Sequence, residues 1–215
     1  MLKLYAHPFS SYCQKALTAL YENGTPFDYR LLEGEEAQAE LEALWPMKRF
    51  PVLVDGEQTV FEASAIIEYL QLRHPGPVRL IPDGDDAVEV RMLDRVFDNY
   101  VMTPMQKIVF DHLRPQDQRD ACGVAEARAM LDTAYAWLDR HLAGREWASR
   151  SGFSLADCAA APSLFYADWV HPLGDAHGNV HGYRQRLLAR PSFARAVEEA
   201  RPYRAYFPPG APDRD

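Results

Sequence analysis

Residues 49–70, RFPVLVDGEQTVFEASAIIEYL, decide the fold of this chain. Residues 52–54 form a short apolar run, and the Asp55-Gly56 pair that follows is typical of a tight hairpin turn. Residues 59–61 supply a return strand, after which apolar residues recur at helical spacing. The stretch therefore predicts two antiparallel strands that lead directly into an amphipathic helix.

Two features of this stretch point to a ligand. A proline suits a buried strand only at its first residue, and a cis Phe50-Pro51 bond would turn the Phe50 backbone outward, toward an extended ligand. Glu62, Ala63 and Ser64 fall at a helix start, where free N–H groups and the positive dipole end bind carboxylates. One interpretation is a site for a small anionic peptide, and the other is an ordinary hairpin followed by a capped helix.

The residues before this stretch alternate between strand and helix patterns. Residues 2–6 and 27–32 alternate in polarity like strands, and residues 12–23 carry apolar side chains on one helical face. Residues 35–45 are acidic and rich in alanine, which indicates a second helix that Pro46 stops. With the hairpin and its helix, the order is β-α-β-α-β-β-α, which predicts a small α/β domain with a right-handed crossover.

The second half of the chain has no strand pattern. Proline, glycine and aspartate concentrate between the halves, which indicates a linker at residues 76–86 between an α/β domain at 1–75 and an all-α domain at 87–215. Ser154 and Asp157 have the spacing of a capping box ahead of an apolar run. Helices are predicted at residues 88–113, 116–142, 154–170, 183–188 and 192–201.

Composition narrows the classes of partner. The 215 residues carry a formal net charge of −8, which argues against a nucleic-acid partner because such partners call for clustered basic surface. No signal-peptide pattern opens the sequence, and no apolar stretch is long enough to span a bilayer. Cys13, Cys122 and Cys158 are too few and too scattered for a disulfide framework or a zinc cluster. These features predict a cytoplasmic, reduced protein without a metal site.

Four motifs occur in a fixed order along the chain: SSYCQKALTAL at residues 10–20, FPVLVDG at 50–56, EASAIIEYL at 62–70 and FSLADCAAAP at 153–162. Together they resemble the cytosolic glutathione transferases, in particular bacterial members of the serine type, similar to the theta, zeta and beta classes. The resemblance covers nearly the whole chain. It implies a thioredoxin-like N-terminal domain, an all-helical bundle after the linker, glutathione as a substrate, and a homodimer without nucleic-acid or membrane partners.

The resemblance also implies a function with two alternatives. The family's transferases conjugate the glutathione thiolate to small hydrophobic electrophiles, a detoxification reaction. A glutathione-dependent isomerase of the zeta type is one alternative, although that type has an aromatic- and arginine-rich run where this chain has CQKAL at residues 13–17. The other is a non-catalytic binding or regulatory protein, which departures from the family pattern before Phe50 and at Ala63 keep open.

Carried over by resemblance, the glutathione site lies on the opening stretch. Pro51 resembles the family's cis-proline, and the Phe50 backbone pairs with the cysteinyl unit of glutathione. Glu62 resembles the acidic residue that holds the γ-glutamyl amino group, and the Ala63 N–H binds the γ-glutamyl carboxylate. The family has serine where this chain has Ala63, and Ser64 follows one place later.

The sulfur end of the site is expected before the first helix. Ser10 resembles the serine of theta- and zeta-like members that hydrogen-bonds the glutathione sulfur, Ser11 is the second candidate and Tyr5 the third. An N-cap is the alternative role for Ser10, because serine is favoured there. Cys13 lacks the partner of a Cys-x-x-Cys motif and is predicted to be a buried, inert thiol, which favours conjugation over disulfide reduction.

The two ends of the site are expected to differ in chemistry. Lys48 or Arg49 is expected to neutralise the glycine carboxylate of glutathione, and the alternative is that both are solvated surface cations. The electrophile is expected between the domains, in an apolar pocket, although aromatic residues at helical spacing are also typical of a core. The candidates for its walls are Phe9, Tyr100, Met105, Phe110, Tyr203, Tyr206 and Phe207.

Overall fold

A four-stranded sheet forms the centre of the N-terminal domain in the computed structural model, which describes residues 1–215. The strands are β1 (Leu2–Ala6), β2 (Asp28–Leu31), β3 (Val52–Asp55) and β4 (Gln58–Phe61), in the spatial order β2-β1-β3-β4. β1 pairs with β2 in parallel, and the β1–β3 and β3–β4 pairs are antiparallel. A helix returns the chain between β1 and β2, whereas Gly56 and Glu57 reverse it between β3 and β4.

Helices cover both faces of this sheet. Leu4 and Leu53 pack beneath two of them on one face, whereas Tyr5 and Val52 pack with Leu41 on the other. Because successive strand side chains point to opposite faces, each central strand contributes to both layers. The helices are α1 (Ser11–Glu22) and α3 (Ala63–Arg73) on the first face and α2 (Gly34–Leu44) on the second. The predicted β-α-β-α-β-β-α order of a thioredoxin-like domain is confirmed.

The second half of the chain is built from helices: α4 (Asp85–Val96), α5 (Thr103–Asp111), α6 (Ala121–His141), α7 (Leu155–Val170), α8 (Gly178–Ala189) and α9 (Pro191–Ala200). Every residue of α7 is buried, so this helix is the centre of the bundle. The predicted capping box begins it, since the Ser154 N–H donates to Asp157 Oδ2 at 2.9 Å. The all-α second domain is confirmed. None of its helices combines the length and apolarity that a bilayer crossing requires.

One predicted helix changes its helix type part-way along. Residues 88–113 are predicted as a single helix, but a π-helical segment, Phe97–Met102, separates α4 from α5. A π turn adds a residue to a helix without breaking it, so the apolar spacing of the sequence conceals it. The result is one continuous helical rod, α4–π–α5, with a change of register near its middle.

The ends of other helices also differ from the predicted ones. α6 begins after Asp120, later than the predicted residue 116, because the Asp120 side chain caps the helix by accepting from the Gly123 N–H at 2.8 Å. α8 spans Gly178–Ala189 and is longer than the predicted 183–188. Neither difference moves the core of the helical domain.

An ion cluster joins the two domains, and it is made of the buried residues Lys15, Asp94 and Asp98 and the half-exposed Arg95. The Lys15 side chain is fully buried, and its Nζ lies 2.5 Å from Asp94 and 2.7 Å from Asp98. Arg95 lies 2.6 Å from both aspartates, so two cations offset two carboxylates. A buried lysine requires such partners, because removing its charge from water is expensive. The cluster fixes α1 against α4.

Candidate functional site

A cavity of about 560 Å³ lies between the two domains. Twelve of its 20 lining residues are hydrophobic, a composition typical of small-molecule sites. The sheet-domain side is lined by Phe9, Ser10, Ser11, Tyr12, Trp45, Lys48, Arg49, Phe50, Pro51, Glu62 and Ala63. The helical-domain side is lined by Met105, Gln106, Val109, Phe110, Leu113, Tyr166, Tyr206, Phe207 and Pro208. Of the predicted site residues, Tyr5, Ser64, Tyr100 and Tyr203 do not line it.

Ser10 and Ser11 lie together at the start of α1, facing the cavity. Ser10 is the N-cap of the helix, and its Oγ accepts a hydrogen bond from the Cys13 N–H at 3.4 Å. That bond uses a lone pair and leaves the Ser10 hydroxyl proton free to be donated into the cavity. Ser11 is the first residue of α1 and is 7% exposed. The capping position and the cavity position of Ser10 therefore coexist.

Cys13 lies behind the serines and is inert. Its side chain is fully buried, and its Sγ accepts a hydrogen bond from the His7 N–H at 3.4 Å. Burial raises the pKa of this thiol to about 12, so it remains protonated near neutrality. The thiol is thus a small core residue that helps to hold the loop before α1, as predicted from the missing Cys-x-x-Cys partner.

Tyr5 and Tyr12 differ in their relation to the cavity. Tyr5 is buried beneath α2 with Leu41 and Val52, away from the cavity, and burial together with Glu40 raises the pKa of its hydroxyl. Tyr12 lines the cavity beside Ser11, and its burial raises its pKa to about 12. Both tyrosines are therefore neutral at physiological pH, and only Tyr12 lines the cavity.

The segment before β3 and the start of α3 form the opposite edge of the sheet-domain side. The predicted cis peptide bond between Phe50 and Pro51 is present, and both residues line the cavity. Glu62, which precedes α3, has φ 66° and ψ 122°, a conformation that costs a non-glycine residue about 1–3 kcal/mol and that occurs mostly at functional sites. Ala63 is the first residue of α3, so its N–H has no partner within the helix.

Ser64 was predicted to belong to the glutathione site, but it does not line the cavity. Its hydroxyl accepts from Lys15 Nζ and donates to Asp94, both at 2.9 Å, and so belongs with the ion cluster. Each step along a helix turns the side chain by about 100°, which carries Ser64 away from the face that Ala63 presents to the cavity. A serine placed one residue late therefore does not substitute for a hydroxyl at Ala63.

Lys48 and Arg49 supply positive charge at the rim. Both line the cavity and both are exposed. Lys48 Nζ lies 2.7 Å from Glu42, with each side chain about half exposed. Exposed pairs of this kind contribute about 0–1 kcal/mol, so the pair leaves the lysine free to exchange Glu42 for an anionic ligand.

The helical-domain side of the cavity is an apolar wall. Met105, Phe110, Tyr206 and Phe207 line it, and Phe9 faces them from the loop before α1. Tyr100 and Tyr203 were predicted to line this wall, but neither lines the cavity. Tyr100 lies in the π-helical segment. Tyr203 packs its ring against His7, with centroids 4.6 Å apart.

Several lining residues escape the sequence-based prediction. The lining positions 105, 106, 109 and 110 of α5, and 113 just after it, follow helical spacing, so extending the pattern from Met105 and Phe110 would have found the rest of this face. Tyr12, Trp45 and Tyr166 carry no such signal, because their place in the cavity depends on how the two domains meet.

Comparison with known proteins finds glutathione S-transferases and a relative that is named as an isomerase. The family description "Glutathione S-transferase, N-terminal domain" matches residues 4–78, and "Glutathione S-transferase, C-terminal domain" matches residues 120–186. Glutathione S-transferase F10 of Arabidopsis thaliana is 31% identical over 188 residues, which is 82% of this chain and 85% of the relative. A probable maleylacetoacetate isomerase of Vibrio cholerae is 30% identical, over 79% of this chain and 80% of the relative.

A solved structure agrees with these relatives. A glutathione S-transferase from Methylobacterium radiotolerans, in complex with glutathione sulfonate, superposes with a TM-score of 0.79 at 30% identity. The match covers 91% of this chain and 94% of that one.

Proposed function

We propose that this protein, which belongs to the glutathione S-transferase family, binds glutathione in the cavity and joins the glutathione sulfur to small hydrophobic electrophiles. It is an enzyme of the transferase class. The observation that carries the proposal is the single cavity shared by two serines at a helix start, an unpartnered helix N-terminus and an apolar wall. These three elements match a thiol, a carboxylate and a hydrophobic second substrate in turn.

In the proposed complex the peptide backbone of glutathione lies along the edge formed by Phe50 and Pro51. Its γ-glutamyl carboxylate accepts from the free Ala63 N–H, and the Glu62 carboxylate pairs with the γ-glutamyl ammonium. Lys48 or Arg49 neutralises the glycine carboxylate at the rim. The fixed, strained Glu62 backbone supports this arrangement, because such conformations persist where the surrounding structure holds a functional group in place.

The proposed chemistry is stabilisation of the glutathione thiolate. A free thiol has a pKa of about 8.5, so a shift of about two units needs roughly 2.7 kcal/mol in favour of the anion. A hydrogen bond to a charged group contributes about 1.5–3 kcal/mol and a helix N-terminus about 0.3–1 kcal/mol, which together suffice. Ser10 donates this bond, and Ser11 is the alternative donor. The thiol proton leaves to solvent, and a sulfur–carbon bond forms as the electrophile expels its leaving group.

A glutathione-dependent isomerase is the second candidate function. It is favoured by the relative from Vibrio cholerae that is named as a probable maleylacetoacetate isomerase and is as similar to this chain as the transferases are. The two functions share the glutathione site and differ in the second substrate, which is a dicarboxylic acid for the isomerase reaction. The apolar wall of α5 and the C-terminal segment supports the hydrophobic electrophile instead.

The oligomeric state and setting are part of the same proposal. Leu72, Val88 and Met92 are large apolar residues that are more than half exposed, and Val88 and Met92 share one face of α4. We expect this surface to be covered in a homodimer. The three cysteines form no disulfide, which supports a reducing compartment such as the cytoplasm and a role in detoxification there.

The test is calorimetric titration of glutathione combined with assays of Ser10→Ala, Ser11→Ala and the control Ser151→Ala, an exposed serine of the helical domain. We expect glutathione to bind, an aryl halide to be conjugated, and one of the two cavity variants to lose about 10- to 100-fold in kcat. Isomerisation of a cis dicarboxylic acid without aryl-halide conjugation would favour the second candidate. No binding at millimolar glutathione would contradict both and leave a non-catalytic binding protein.

A further inference from the structure

The loop before α1, residues 7–10, leads directly to Ser10 and Ser11 and is called the serine loop here. Three of its backbone N–H groups donate hydrogen bonds to groups of the same domain. The Ser10 N–H donates to the His7 carbonyl at 3.0 Å, the His7 N–H donates to Cys13 Sγ at 3.4 Å, and the Phe9 N–H donates to His7 Nδ1 at 3.2 Å. These bonds satisfy N–H donors. The carbonyls of Pro8 and Phe9, the two residues immediately before Ser10, need other partners.

Two side chains supply those partners, and one of them comes from the other domain. Gln14 Nε2, fully buried in α1, donates to the Pro8 carbonyl at 3.0 Å and to the Tyr166 hydroxyl at 3.0 Å. The Tyr166 hydroxyl, from α7, donates its own proton to the Phe9 carbonyl at 3.0 Å. A chain of three hydrogen bonds thus runs from the helical domain into the loop and ends one residue before Ser10.

Tyr166 is fixed both in place and in protonation state. It is 3% exposed, and burial raises the pKa of its hydroxyl well above the usual range, so the donor remains a neutral O–H at every working pH. Its ring meets the Phe9 ring edge-on at 5.5 Å and stacks on the Phe207 ring at 6.0 Å. The ring also lines the cavity. The ring of Tyr166 therefore contacts the apolar wall, and its hydroxyl contacts the serine loop.

We propose that Tyr166 is a positioning residue: its hydroxyl, oriented by Gln14, sets the place of the loop so that the serine hydroxyl meets the glutathione sulfur. This role rests on the proposed function, because it acts through the serine donor. Hydrogen bonds weaken steeply with distance and angle, so a loop that relaxes on losing the Phe9 bond presents a poorer donor to the sulfur. The γ-glutamyl end, held at α3, is unaffected.

The test is Tyr166→Phe, which removes the hydroxyl and keeps the ring. The ultraviolet absorbance of the bound thiolate, followed against pH, reports the pKa of glutathione on the protein without a second substrate. We expect that pKa to rise by about 0.5–1 unit, kcat for an aryl halide to fall about 3- to 10-fold, and KM for glutathione to stay within about twofold.

The matched control is Tyr135→Phe. Tyr135 is 1% exposed and donates to the His171 carbonyl at 3.1 Å, so its variant also loses a hydroxyl-to-carbonyl bond, but at a residue that does not line the cavity. We expect Tyr166→Phe, which also loses the bond from Gln14, to lose at least as much thermal stability as Tyr135→Phe, and only Tyr166→Phe to move the thiol pKa. Gln14→Met, which removes the partner that orients the hydroxyl, should act in the same direction, and the double variant should be less than additive.

Three outcomes are decisive. A wild-type protein that titrates bound thiolate, beside a Tyr166→Phe variant with the same thiol pKa and kcat, would overturn the positioning role and leave the proposed function intact. A wild-type protein that neither binds nor ionises glutathione would overturn both. If Tyr166→Phe does not fold, an unchanged thiol pKa in Gln14→Met would count against the positioning role in its place.

Discussion

The sheet-domain side of the cavity presents backbone groups at fixed places, whereas its helical-domain side presents apolar side chains on one helix and a C-terminal segment. On the first side, Ala63 offers an N–H at a helix start and Glu62 holds a left-handed conformation. On the second side, Met105 is buried but Phe110 is about half exposed. The backbone groups of the first side are fixed by the fold itself, whereas the second side consists of side chains, some of which are exposed.

This difference separates two kinds of recognition. A backbone N–H keeps its position as long as the helix does, and few substitutions can remove it. An exposed side chain on α5 can change without disturbing the core, since surface substitutions usually shift stability by about 0.5 kcal/mol or less. The proposed contacts to glutathione therefore rest on backbone groups that few substitutions can remove, and the proposed contacts to the second substrate rest on side chains that can change.

The largest effect is expected from Lys15→Met, which breaks the cluster that holds the two sides together. Asp94 and Asp98 would remain buried beside a single remaining cation, Arg95, and breaking a buried ion pair costs about 3–5 kcal/mol. Urea unfolding measures the loss. Lys107→Met is the control, because Lys107 pairs with Glu126 in an exposed position and should change the stability by about 0.5 kcal/mol or less. Equal losses in the two variants would contradict the role of the cluster.

The next effect tests the backbone side. Ala63→Pro removes one N–H, while proline remains acceptable at the first position of a helix. We expect the Kd for glutathione to rise about 10- to 100-fold, because a hydrogen bond to a carboxylate is lost. Ala63→Ser keeps the N–H and restores the family's hydroxyl, so it should bind at least as tightly as the wild type. Unchanged affinity in Ala63→Pro, measured by calorimetry, would remove this contact from the proposed site.

The side-chain wall is tested by Phe110→Ala. We expect kcat/KM for a hydrophobic electrophile to fall about 3- to 10-fold through lost apolar contact, with the Kd for glutathione and the stability unchanged. Tyr100→Ala is the matched control, because Tyr100 and Phe110 are both 49% exposed on the same helical rod and only Phe110 lines the cavity. A matching loss in Tyr100→Ala would show that the wall extends beyond the cavity.

The smallest effect is a pH dependence at the junction of the two sides. Burial lowers the pKa of His7, against a weaker opposing influence of Glu33, and His7 Nδ1 accepts the Phe9 N–H only when neutral. The unfolded chain therefore binds the His7 proton more readily, so this contribution to stability is present above the ordinary histidine pKa of about 6.5 and is lost as the pH falls below it. His7→Asn keeps an acceptor without a titration. Thermal denaturation between neutral and acidic pH should decline less in this variant, and an identical decline would contradict the assignment.

Local patterns predicted much of the sheet domain. The alternation of β1, the Asp55-Gly56 turn and the proline before β3 each act over a few residues, and they lead to the observed order of strands and helices. The serines and the start of α3 belong to the same local patterns, so the sequence could indicate these residues, and they line the cavity. Ser64 was misplaced because a motif ignores the rotation of a helix.

The rest depends on contacts between distant parts of the chain. Lys15 looks like an ordinary surface lysine in the sequence, and its burial follows only from Asp94 and Asp98 on a helix of the other domain. Tyr166 looks like one more apolar residue of α7, and its link to the serine loop spans the domain boundary. Hydrophobic spacing reports which face of a helix is buried, but it does not report what that face meets.

The π-helical segment Phe97–Met102 sits between the two tasks of the α4–π–α5 rod. Of the two aspartates that anchor Lys15, Asp94 lies before the segment and Asp98 lies near its start, whereas α5, which follows the segment, carries part of the apolar wall. A helix advances by about 100° per residue, so inserting or deleting a single residue within this segment turns α5 about its axis relative to α4. One codon gained or lost after Asp98 would turn the α5 part of the apolar wall while the contacts of both aspartates to Lys15 stay in place, which gives a route to new second substrates that needs no point substitution.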